Sequence, residues 1–93
     1  GFAPFDAQIV DVGRAGIGFL LYASDITLEP STVLKGCRIQ RHGSTPIVVD
    51  LEVRYSTPVI LDDGSHARRS GCVFLNPTRE VMELIDSFLG ADG

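Results

Sequence analysis

Asp11-Val12-Gly13-Arg14-Ala15-Gly16-Ile17-Gly18-Phe19 sets three glycines and one carboxylate between two apolar runs, Ile9-Val10 before it and Ile17 to Tyr22 after it. An apolar run, a glycine-rich break and a second apolar run read as strand, tight turn, strand, over residues 5–10 and 16–22. Glycine tolerates positive φ and lets another group come close, so such a turn serves folding or receives a ligand. The rest of the chain says which kind of sheet the turn belongs to.

Working outward, Ser24 to Thr32 carries the polar and proline punctuation of a loop, and Val33 to Gln40 reads as a third strand, turned by Arg41-His42-Gly43-Ser44. Ile47, Val49, Leu51, Val53 and Tyr55 then alternate with Val48, Asp50, Glu52 and Arg54, the period of two that marks a strand buried on one face. Thr57 to Leu61 reads as a further short strand. Asp62-Asp63-Gly64-Ser65 holds the Asp-Gly pair favoured in hairpin turns, and residues 67–75 return as the last strand, with Ser70, Cys72 and Phe74 opposite in direction to Gly71, Val73 and Leu75. The period then changes. Asn76 suits a helix cap and Pro77 its first turn, after which Val81, Leu84, Ile85 and Phe88 recur at helical spacing until Gly90, predicting a core-facing helix over about 77–89. About six strands with connections too short for parallel crossovers imply an antiparallel sheet closing into a barrel or small sandwich, with the helix over an open end or rim.

A chain of 93 residues suits one small domain. Twelve acidic against eight basic residues, a formal net charge of -4, oppose a DNA- or RNA-binding role, which needs a basic surface. They leave room for a single nucleotide held by a few arginines. No run approaches the roughly 20 apolar residues of a membrane span, so membrane insertion is not expected. Cys37 and Cys72 stand far apart without metal-ligand spacing and read as buried small hydrophobes of a reducing compartment.

These features together resemble a PilZ domain over roughly residues 5–89, and within that family the C-terminal module of flagellar-brake proteins. The family's turn is Asp or Asn, any residue, Ser, two residues, Gly; here it stands as Asp11-Val12-Gly13-Arg14-Ala15-Gly16, with Gly13 where Ser is usual. Arg69-Ser70-Gly71-Cys72-Val73-Phe74-Leu75 is similar to the family's last strand. The resemblance implies a six-stranded, split antiparallel β-barrel with a C-terminal helix, one domain over 1–93. It also implies a non-enzymatic cytoplasmic bacterial receptor for cyclic di-GMP, without a cofactor, controlling motility or attachment through a flagellar motor protein or an adjacent domain, in association with the flagellar basal body. In that reading Asp11 accepts hydrogen bonds from the guanine edge, Gly16 permits close approach of the base, and Gly13 and Arg14 complete the turn, Arg14 within reach of a phosphate. The family's Arg-x-x-x-Arg does not occur here, so a preceding segment upstream of Gly1 is expected to carry it. Gly13 lacks a hydroxyl, a loss of roughly 0.5–1.5 kcal/mol in ligand binding. The rival implication is a domain that has lost nucleotide binding and serves as a protein-interaction module.

Other readings of the same residues are weaker. Ile9-Val10-Asp11-Val12-Gly13 is similar to an aspartic-protease turn, but Val12 stands where Thr or Ser is needed. The glycines are no P-loop, because a strand follows them. Asp11 as a turn cap and Asp11 as a ligand contact weigh evenly. His42 and His66 read as turn residues, and Arg68-Arg69 as a solvated feature of an edge strand.

Overall fold

The computed structural model describes residues 6–22, 26–40 and 45–90. The predicted strand start at Phe5, the loop positions Ser24 and Asp25, and the turn Arg41-His42-Gly43-Ser44 lie outside them. Five strands and one helix are described: β1 (Gln8–Val12), β2 (Gly16–Leu21), β3 (Val33–Ile39), β4 (Ile47–Ile60), β5 (His66–Leu75) and α1 (Arg79–Gly90). The strands form a curled antiparallel sheet in the order β1-β2-β5-β4-β3. This is half of a barrel.

The predicted sixth strand is absent from the described residues because the expected strands at Ile47–Tyr55 and Thr57–Leu61 are one continuous β4. Pro58 stands within that strand. Beyond Val53, however, the β3 side of β4 has no strand partner among the described residues, while β5 pairs it as far as Ile60. A proline without an N–H is tolerated along such an open edge.

A β-bulge between Val53 and Tyr55 makes the second difference. An extra residue in one strand reverses the alternation beyond it. Ile47, Val49, Leu51 and Val53 therefore enter the core as expected, whereas Tyr55 turns to the opposite face and is 44% exposed.

The core takes one face of four strands, Ile17, Phe19 and Leu21 from β2, Leu34 and Ile39 from β3, the four β4 residues, and Cys72 and Phe74 from β5, with Ile9 and Val12 of β1 partly buried against it. Helix α1 covers it with Ile85 and Phe88, and Val81 and Leu84 pack beside them, as the helical spacing predicted. The cap differs by two positions. Thr78 Oγ1 accepts the Val81 amide at 3.1 Å, so Thr78 rather than Asn76 caps the helix. Asn76 takes φ of 47°, a left-handed conformation that Asn adopts readily, and redirects the chain out of β5.

The Asp-Gly turn between β4 and β5 forms as expected. Asp63 Oδ1 accepts the Ser65 amide at 2.9 Å and the Ser65 hydroxyl at 2.6 Å, which holds its carboxyl below the usual range. Gly64 sits at φ of 84°. A Cβ there meets no atom within 4 Å, so Gly64→Ala isolates backbone strain from crowding. A loss of about 1–2 kcal/mol is expected, read as a lower urea midpoint at unchanged slope.

Of the cysteines, Cys72 is buried as expected, and burial followed by the nearby Cys37 pushes its thiol up to about 11. Cys37 is only half-buried, its thiol donating to the Leu34 carbonyl at 3.3 Å.

Candidate functional site

The opening turn joins β1 to β2 through one hydrogen bond, Gly13 N to Gly16 O at 2.9 Å, and is tied to the neighbouring strand by Phe74 N donating to Ala15 O at 2.9 Å. Neither Gly13 nor Gly16 has positive φ. The glycines are not there for left-handed backbone. At Gly13 a Cβ would point into open space, whereas at Gly16 it would collide with the Cys72 carbonyl of β5. Close approach at Gly16 is therefore, within the fold, strand against strand.

Asp11 lies on β1, not in the turn, and its side chain is exposed. A bulge between Ile9 and Asp11 sets it directly opposite Gly18 and turns it to the face away from the core. Its carboxylate makes no hydrogen bond or ion pair among the described residues, which removes the turn-capping reading.

Cross-strand partners continue the line from there: Asp11 opposite Gly18, Gly18 opposite Gly71, Gly71 opposite Tyr55. Two glycines thus form a floor between a carboxylate and an aromatic ring. The Tyr55 ring lies where a Gly71 side chain would be. The result is a surface groove of about 390 Å³, bordered by Asp11, the turn 13–16, Arg54 and Tyr55, with Gly18 and Gly71 beneath. All four sequence-predicted residues, Asp11, Gly13, Arg14 and Gly16, line it.

Arg14 is not simply solvated. Its Nε lies 2.9 Å from Asp86 Oδ1 of α1, and its Nη2 donates to Oδ2 at 3.4 Å. With the two side chains 70% and 51% exposed, the pair contributes about 0–1 kcal/mol at most. It leaves the guanidinium available for exchange onto a ligand anion.

Arg68 and Arg69 also differ from expectation, because β5 is a central strand with neighbours on both sides. Arg68 is half-buried and donates from Nε to Ser56 Oγ at 3.0 Å and from Nη2 to the Ser56 carbonyl at 2.9 Å. Arg69 points to the groove face, with Nη2 3.5 Å from where a Gly18 Cβ would stand. Sequence reading missed Tyr55 as a groove residue and Arg69 as the neighbour of Gly18. A bulge leaves no mark on an alternating pattern, and strand order is not written in strand sequence. The usable signal was the glycine pair, Gly18 and Gly71, in strands otherwise rich in bulky residues.

No family model matches the chain. The flagellar brake protein YcgR of Thiobacillus denitrificans is 27% identical over 82 residues, covering 88% of this chain and 32% of that protein. The flagellar brake protein YcgR of Nitrosomonas eutropha is 27% identical over 92 residues, covering 94% of this chain and 34% of that protein. The chain thus spans about a third of the length of these curated relatives. Among solved structures, K. pneumonia MrkH in its apo state matches with a TM-score of 0.80 at 19% identity over 89% of this chain and 38% of that one. Fold and sequence likeness together support a PilZ domain. A further structure of MrkH, its complex with c-di-GMP, matches the domain with a TM-score of 0.78 at 19% identity over 89% of this chain and 38% of that one. Asp11 and the glycine floor share the face of the sheet away from the core, while Arg14 of the turn pairs with Asp86 of α1.

Proposed function

We propose that this PilZ domain binds cyclic di-GMP in the groove beside Asp11 and acts as the receptor part of a bacterial effector that controls motility or surface attachment. The observation that carries the reading is the Asp11 carboxylate, exposed, without a partner among the described residues, and set against a floor of glycine. Two acceptor oxygens suit the adjacent N–H donors on a guanine edge. Arg14 exchanges Asp86 for a ligand phosphate, and Gly13 and Gly16 shape the turn beside it. The names of the two brake proteins and of the MrkH complex support the ligand and the output.

The domain is a receptor and not an enzyme in this reading, with the nucleotide as ligand and no cofactor. It works in the cytoplasm, at the flagellar basal body where its partner is a motor protein, or on an adjacent domain of the same protein. A segment preceding Gly1 supplies an arginine pair. Neither DNA nor RNA is a partner, in keeping with the net charge of -4. Membrane insertion forms no part of the reading; no helix among the described residues is long and apolar enough to cross a membrane. The ligand regulates by binding one arrangement of domain and partner better than another.

Calorimetry with cyclic di-GMP on the longest form of the protein that contains this chain tests the proposal. Saturable heat is expected, and no heat at high micromolar ligand would sink it. The second reading, a PilZ domain used only for protein contacts, is favoured by Gly13, where space for a serine stands open and no hydroxyl fills it. The same titration separates the two.

A further inference from the structure

The floor between Asp11 and Tyr55 is only half open. At ~4.8 Å between strands, the row of four partners spans about 14 Å, but the Tyr55 ring already covers Gly71. The free half lies over Gly18. Two groups border it: Arg69 Nη2 and Asp11 Cβ stand 3.5 Å and 3.6 Å from the place a Gly18 Cβ would occupy. A guanidinium nitrogen and the stem of a carboxylate side chain thus flank one bare patch of backbone, and neither side chain has a partner among the described residues.

That pair matches one purine. Guanine carries its N1–H and N2–H donors next to its O6 and N7 acceptors, so a carboxylate serves the first two and an arginine fork the second two. Adenine presents an amino donor where guanine has O6, and would meet Arg69 donor against donor. Resting on the reading of this groove as a cyclic di-GMP site, we infer that Arg69 of β5 is the residue that selects guanine: its guanidinium donates to O6 and N7 of the base whose N1 and N2 edge Asp11 holds, while Tyr55 borders the base on the far side. Guanine selection then belongs to strands β1 and β5 of this chain.

The test is calorimetry on the same protein with two ligands, cyclic di-GMP and its 7-deaza analogue, which lacks the N7 acceptor. Wild type is expected to bind the analogue about tenfold more weakly. Arg69→Gln should bind cyclic di-GMP about tenfold more weakly and no longer distinguish the two ligands. Arg69→Lys keeps the charge without the fork, so it too should lose the distinction, which separates base reading from plain attraction of phosphate. Equal affinity of wild type for the two ligands overturns the assignment, even if both variants fail to fold. So does an Arg69→Gln protein that still discriminates between them. In either case tight binding of cyclic di-GMP leaves the receptor reading standing. No heat from wild type with cyclic di-GMP overturns that reading, and the assignment with it.

Discussion

Replacing Gly16 by alanine is expected to destabilise the domain by about 3 kcal/mol, a fall in melting temperature of about 12–24 °C for a domain of this size. The added Cβ runs into the Cys72 carbonyl, with Cys72 C and Val73 Cα behind it at 2.9 Å. All three are backbone atoms of β5, a strand held on both sides by β2 and β4. Unlike the end of a flexible side chain, they give way only if the pairing of Gly16 with Val73 opens. Gly13→Ala is the control. Its Cβ meets nothing within 4 Å and its φ is not positive, so a change within about 0.5 kcal/mol is expected. Thermal melting of the two variants checks the account. An Gly16→Ala protein that melts like wild type but loses ligand would instead show that the glycine serves the base.

The same pair of glycines shows how far sequence could go. That Asp11 to Phe19 was a strand, turn, strand unit followed from composition alone, and so did the helix stripe and the buried face of Ile47 to Val53, because periodicity records which side of an element meets the core. What periodicity does not record is pairing. Gly16 reads as a turn glycine until β5 is placed beside it; Arg69 reads as an edge charge until β5 is placed in the centre of the sheet. The two bulges, before Asp11 and before Tyr55, are the other hidden step. Each changes which face a residue presents without changing the residues themselves. Between them they put a carboxylate and an aromatic ring at the two ends of one row, on the face that alternation alone would have assigned to the core in the case of Tyr55.

Asp11→Asn, a residue the family's turn also admits, should reduce affinity for cyclic di-GMP by about tenfold, because one of the two acceptor oxygens remains, while the melting temperature stays within a few degrees. The substitution preserves shape and turns one acceptor oxygen into an N–H₂ donor, which faces the guanine donors head on. Each hydrogen bond to a charged group is worth about 1.5–3 kcal/mol, and a factor of ten corresponds to about 1.4 kcal/mol. The sign carries the argument. Cyclic di-GMP is an anion, so removing a negative side chain should by Coulomb attraction alone improve binding; a loss means that specific acceptors outweigh that repulsion. Stability is spared because the carboxylate has no partner to lose among the described residues. A melting temperature lowered with affinity unchanged would make Asp11 a structural residue after all. Cyclic di-IMP, which lacks the N2 amino group, completes the cycle: wild type should bind it more weakly than cyclic di-GMP, and the Asn variant should treat the two ligands nearly alike, because the group they differ by has then lost its acceptor.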